Sequence, residues 1–162
     1  MNIRFVTGDL LASNEPVILH GVNNCGVMGA GIALAIKKKW PEVFNLYHDN
    51  YLDQTRRMVL GDIQPVMLDS WMETKTGTQL VINACTQRLN SSAAKARGEI
   101  PVSYDAIDRI FHTLDHMNLK TVAMPMIGAG LGGGNWKVIR EIIEGRATTF
   151  EPIVYVLPEV SK

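Results

Sequence analysis

Three features of this 162-residue chain predict an α/β layered fold. Runs of β-branched apolar residues alternate with segments of helical period, two of the predicted strands run into glycine-rich junctions, and 46% of the residues are apolar. Alternation of this kind belongs to strands and helices stacked in layers, not to a helix bundle or a β-sandwich. A chain this long buries roughly 70% of the surface that its unfolded form exposes, which is enough for a proper core. With no internal repeat, low-complexity tail or linker, residues 1–162 read as one domain.

The elements follow in order. Residues 3–6 and 17–22 are the first two strands, separated by a polar stretch with Pro16. From residue 29 to 39 the period changes, with Ile32, Ala33, Ile36 and Trp40 at helical spacing and Pro41 as the break. A second helix over 42–53 carries Val43, Leu46, Tyr47 and Tyr51, and residues 58–71 read as extended pieces interrupted by Gly61-Asp62 and Pro65. Residues 79–84 form a compact apolar strand. The polar segment 86–101 reads as a loop, long enough for a substrate-side lid. Val102, Ala106, Ile107, Ile110, Phe111, Leu114 and Met117 make one helical stripe, residues 121–127 the next strand, 136–144 a helix with Val138, Ile142 and Ile143 inward, and 153–157 the closing strand.

Charge and cysteine usage narrow the function. Sixteen basic residues balance 16 acidic ones, so the broad basic surface behind non-specific nucleic-acid affinity is not expected, despite the run Lys37–Lys39. No stretch reaches the roughly 18 apolar residues of a membrane span, and residues 1–10 lack a signal-peptide core, so an intracellular, cytoplasmic protein without a membrane partner is expected. Cys25 and Cys85 are too few for a disulfide framework and, with four scattered His, show no zinc spacing. Chemistry without a metal or cofactor is the expectation.

Two segments ask for more than packing. In HGVNNCGVMGAGIALAIKKK a strand runs into Asn23, Asn24, Gly26, Gly29 and Gly31 just before a helix, and in MPMIGAGLGGGNW another runs into Gly128, Gly130, Gly132, Gly133 and Gly134 before a second helix. Glycine lets a ligand approach the backbone, and a helix start offers unpaired N–H groups at the positive end of its dipole. Such loops hold phosphate, and two on one sheet edge suit a diphosphate at the carboxyl ends of strands. Neither loop is GxGxxG with a downstream acid, nor GxxxxGK[ST], which disfavours dehydrogenase and Walker-type readings.

Each candidate residue also has a plainer reading. His20, in the apolar strand VILHGV, is either a core histidine or, at the strand end feeding the glycine loop, a proton-transfer group. Asn23 and Asn24 are either turn residues or neutral partners for a ribose. Asp9, after Gly8, either caps the next segment or accepts from an exocyclic amine. The lysine run reads as a solvated helix end, and neither cysteine has an adjacent base to activate it.

In series, GDL at Gly8–Leu10, HGVNN…GVMGAGIA at His20–Ala33 and MPMIGAGLGGGNW at Met124–Trp136 resemble the macro domain, the ADP-ribose-binding module, over nearly the whole chain. That resemblance implies a three-layer α/β/α fold around a mixed sheet, with ADP-ribose in a cleft across the strand ends. It implies that Asp9, beside Leu10, meets the adenine amine. Gly29, Ala30, Gly31 and Ile32 would lie against the diphosphate and distal ribose, with Asn23 facing that ribose. Gly128, Ala129, Gly130, Leu131 and Gly132 would cover the diphosphate from the other side.

The short MGAGIA loop is similar to a branch that holds ADP-ribosyl glycohydrolases and ADP-ribose 1''-phosphate phosphatases. The glycohydrolases use a lysine just after the central strand and, in the human type, an aspartate in the second loop, positions that here read as Ala84 and Gly132. The chain resembles the phosphatase-like members more. The expected activity is hydrolysis of ADP-ribose 1''-phosphate by water attacking phosphorus, with His20 moving the proton and Asn23 orienting ribose or water. The alternatives are removal of ADP-ribose from a modified protein or nucleic acid, and a non-catalytic reader of ADP-ribose.

Overall fold

The structure, a computed structural model, describes residues 1–89 and 91–158. Six strands form one sheet in the order β1-β6-β5-β2-β4-β3: β1 (Arg4–Thr7), β2 (Val17–Asn23), β3 (Ile63–Met67), β4 (Leu80–Gln87), β5 (Thr121–Met124) and β6 (Glu151–Val156). All neighbouring pairs are parallel except β3 with β4, so the sheet is mixed. The carboxyl ends of the five parallel strands therefore share one edge.

Parallel strands need cover on both faces. Residues 17–20 of β2 and 81–86 of β4 are buried without alternation, and their apolar side chains feed two separate cores. On one face α5 (Tyr104–Leu114) and α6 (Trp136–Arg146) pack Ile107, Ile110, Phe111, Leu114, Ile139 and Ile143 against Leu19, Ile82, Val122 and Val154. On the other, α1 (Gly31–Lys39) and α2 (Pro41–Leu52) pack Ile36, Val43 and Tyr47, with Trp40 between the helices, against Ile18, Val22, Val81 and Ile153. The result is the expected three-layer α/β/α arrangement. The stripe at 107, 110, 111 and 114 spans one helical face, and Ser103 starts α5 by accepting from Ala106 N at 3.1 Å.

The structure departs from the sequence expectation at junctions. Residues 58–71 are not all extended, because β3 is followed by a short helix, α3 (Asp69–Thr74), that ends on Lys75 at φ 55°. Segment 86–101 is not one loop: β4 continues to Gln87, which bridges to Val102, and Ser91 caps a one-turn helix, α4 (Ser92–Ala96). Asn90, within that segment, lies outside the described residues. β5 stops at Met124, where Pro125 removes the next ladder donor. Among the described residues no helix is long and apolar enough to cross a membrane.

Candidate functional site

A cleft of about 480 Å³ opens at the carboxyl edge of the sheet, between the segments that follow β2 and β5. Asn23, Gly29, Ala30, Gly31 and Ile32 line it from the first glycine loop, and Gly128, Gly130, Leu131 and Gly132 from the second. The two loops nearly meet. A Cβ built on Gly31 would lie 3.4 Å from Leu131 Cδ1, and Gly31 itself holds φ +59°, a left-handed backbone that glycine adopts without strain.

The start of α1 faces this space without a cap. Ala30, at φ −153°, has no side chain to bond the helix, the first turn carries no acidic residue, and the first intrahelical bond is Leu34 N to Ala30 O at 3.3 Å. Among the described residues the N–H groups of Gly31, Ile32 and Ala33 therefore have no partner, and they sit at the positive end of the helix. The other helix start does not match the expectation. Asn135 caps α6 by accepting from Lys137 N at 3.0 Å, and α6 does not line the cleft. The second loop instead closes on itself through Gly134 N to Gly128 O at 2.8 Å and is tied to Val102 N through Gly132 O at 3.1 Å.

Asn23 is committed to the shape of the first loop. Its Oδ1 accepts from Cys25 N at 2.9 Å and lies 2.7 Å from the Tyr47 hydroxyl, while its Nδ2 donates to Val27 O at 2.9 Å. Tyr47 reaches up from α2 and also accepts from Gly26 N at 3.0 Å, so one buried phenol gathers three groups of the loop. Burial raises its pKa and keeps it a neutral donor and acceptor.

His20 is not in the cleft. Fully buried on the α2 side of β2, it bonds through Nε2 to Asn83 Oδ1 at 2.5 Å, and its Nδ1 has no partner. Burial holds its pKa down to about 4 against the opposing effect of the Asn83 bond. The expected proton-transfer role is thus corrected: β2 alternates its faces, and His20 points into a core. Ala84, where the resemblance puts the glycohydrolases' lysine, offers no reactive group. It is wholly buried in mid-β4, and the residue that this strand delivers to the cleft is Gln87.

Gly8, Asp9, Leu10, Asn24 and Ala129 do not line the cleft. Gly8 N bonds Val156 O, Asp9 caps the 3-10 turn Leu10–Ala12 by accepting from Leu11 N at 3.0 Å, and Leu10 is buried. They nevertheless follow β1 on the same sheet edge, three strand spacings from β2, or about 14 Å. Sequence reasoning missed Gln87 and the apolar rim of Val27, Leu89 and Met126, which are 47%, 48% and 36% exposed. Exposed apolar residues grouped around a cleft were a readable signal only once strand ends were known.

Among the described residues no side chain in the cleft lining titrates: it holds glycines, a proline, apolar residues, Asn23 and Gln87. The cysteines do not supply a nucleophile either. Cys25 is outside the lining, and Cys85 is buried with its thiol pushed up to about 12 by desolvation. Backbone donors, the one side-chain amide there that its own loop does not engage, and an apolar rim suit an anionic, partly apolar ligand.

Comparison with known proteins agrees with this geometry. The chain is 29% identical over 142 residues, 86% of its length, to the DNA ADP-ribosyl glycohydrolase of Mycobacterium tuberculosis, of which the match covers 37%, so the chain spans little more than a third of that relative. The solved macrodomain of Mycobacterium tuberculosis DarG superposes with a TM-score of 0.78 at 26% identity, covering 97% of this chain and 98% of that one. A protein of unknown function from Bacteroides thetaiotaomicron superposes equally well, with a TM-score of 0.78 at 28% identity over 96% of this chain and 98% of the other. The family model described as the macro domain matches residues 19–143, and the chain belongs to that family.

Proposed function

We propose that the cleft binds ADP-ribose and hydrolyses ADP-ribose 1''-phosphate to ADP-ribose and inorganic phosphate. The observation that carries this reading is a lining with no titratable side chain among the described residues, beside a bare helix start. The N–H groups of Gly31, Ile32 and Ala33 suit the diphosphate, and the second loop covers it from above. The apolar rim shields the sugar, and Asp9, farther along the same edge, meets the adenine amine.

A cleft without an acid selects its leaving group. An amine or nucleobase needs a proton to depart, which a general acid normally supplies. Phosphate needs no acid from the protein to depart, because a proton on one of its own oxygens lets it leave as hydrogen phosphate. We therefore place the break between C1'' and the bridging oxygen: water adds to C1'', the bond electrons leave with phosphate, and the proton lost by water is taken up by the departing phosphate. Gln87 orients the water, and the backbone donors steady the developing charge without reorganising. This replaces attack at phosphorus assisted by His20, which burial keeps out of reach.

Hydrolysis in [18O]water without added metal tests the proposal. Release of unlabelled phosphate with the label in ADP-ribose is expected, while labelled phosphate would move the attack back to phosphorus. No release by protein that binds ADP-ribose in calorimetry would end the phosphatase reading. Kinship with a DNA ADP-ribosyl glycohydrolase favours a second reading, removal of ADP-ribose from DNA, which the same protein incubated with ADP-ribosylated oligonucleotide would reveal.

A further inference from the structure

A second cavity, of about 380 Å³, lies at the β3 edge of the sheet and differs from the cleft in being polar and charged. Asn50 of α2, Arg56, Asp62, Gln64 of β3, and Arg109 and Thr113 of α5 line it. Among the described residues Arg109 has no ion pair, and its stem lies across Gly61, where a Cβ would meet Arg109 Cδ at 2.9 Å. Arg56 is held only loosely, 3.5 Å from an exposed Asp53. The one carboxylate in the lining is already engaged, since Asp62 Oδ2 accepts from Val59 N at 2.8 Å.

The floor is Gln64, only 8% exposed, and its amide is oriented from within the core. Asn83 Nδ2 donates to Val43 O at 3.2 Å and to Gln64 Oε1 at 3.0 Å. A backbone carbonyl only accepts, so the Asn83 amide has one orientation, its Oδ1 must accept, and His20 carries its proton on Nε2. The same bond fixes Gln64 with its oxygen inward. That leaves its Nε2 as the free end of a side chain that lines the cavity, with no hydrogen bond to a described residue. Three buried polar side chains in series thus leave a donor on Gln64 in a cavity that Arg56 and Arg109 also line.

We propose that this cavity binds a phosphate group, as inorganic phosphate or as the terminal phosphate of a small phosphorylated molecule. Guanidinium forks match phosphate oxygens two at a time, and the Gln64 amide meets a third. The site is separate from the cleft and does not depend on the activity proposed for it.

The test is a titration of 15N-labelled protein with sodium phosphate against sodium chloride of equal ionic strength, reading the Gln64 side-chain amide and Arg109 Nε. Saturating shifts at both groups in phosphate alone are expected, unchanged by ADP-ribose, and Arg109→Ala, at an exposed position, should weaken the Gln64 response at least tenfold. Shifts that follow ionic strength, that appear only at the Gly31 and Gly130 amides, or that survive Arg109→Ala would overturn the proposal. Ribose 5-phosphate in place of inorganic phosphate identifies the source: tighter binding assigns the site to a phosphorylated molecule, weaker binding to free phosphate.

Discussion

Gln87 Oε1 lies 2.8 Å from the position a Cβ would take on Gly132, so the last side chain of β4 lies against the second glycine loop. Among the described residues Gln87 is the one uncommitted side-chain amide in the cleft lining, since Asn23 is held by its own loop. Gln87→Ala should lower the rate of phosphate release roughly tenfold, the worth of about one hydrogen bond, with ADP-ribose affinity changed far less. Steady-state kinetics beside calorimetry would separate the two, and an equal loss in both would make Gln87 a binding residue only. Gly132→Ala should be worse, because its Cβ would also meet Gly128 O at 2.7 Å and backbone cannot step aside.

Ala30→Asp should move stability and binding in opposite directions. Its extended backbone at φ −153° and ψ 164° suits an N-cap, so an aspartate there would bond the bare N–H groups of α1 and raise stability by about 1 kcal/mol. The same carboxylate would occupy and repel the site read here as the diphosphate cradle. A higher melting temperature with at least tenfold weaker ADP-ribose binding is expected. Unchanged affinity would show that α1 does not hold phosphate.

Tyr47→Phe should loosen the first loop without touching the ligand. The hydroxyl accepts from Gly26 N and bonds Asn23, and its loss leaves a buried donor unsatisfied at a cost of about 1–3 kcal/mol. Denaturant unfolding should show that loss. Hydrogen exchange should quicken at residues 23–28 while the α5 amides stay protected.

The acid stability of the fold should carry a His20 component. Its folded pKa of about 4 lies below the ordinary 6.5, so the unfolded chain takes up the proton more readily. The contribution is therefore fully present above pH 6.5 and is lost as pH falls toward 4, amounting to about 3 kcal/mol. His20→Gln keeps a donor for Asn83 but does not titrate. Urea unfolding across that range should show a shallower pH dependence for the variant, and phosphate release at pH 7 should stay within several-fold of the parent. A complete loss of turnover in well-folded His20→Gln would restore the catalytic role.

Much of this was legible in the residues themselves. The two glycine loops, the helical stripe at 107, 110, 111 and 114 and the buried strands 17–22 and 79–84 are local patterns, and local geometry alone makes them what they are. The α3 turn escaped because six residues are too few to show a helical period, and the reach of β4 to Gln87 escaped because Thr86 and Gln87 are polar residues whose strand pairing comes from partners far away in sequence.

The chain by itself determined the layered α/β fold and both loops of the cleft, because apolar period and glycine placement act over a few neighbouring residues. Only the tertiary structure decided which side chains enter the cleft. His20 and Gln87 sit on adjacent parallel strands, yet the first faces a core with Asn83 while the second faces the second loop. That difference is set by where each strand ends and which face each residue takes in the assembled sheet, and a one-residue step along a strand exchanges one face for the other.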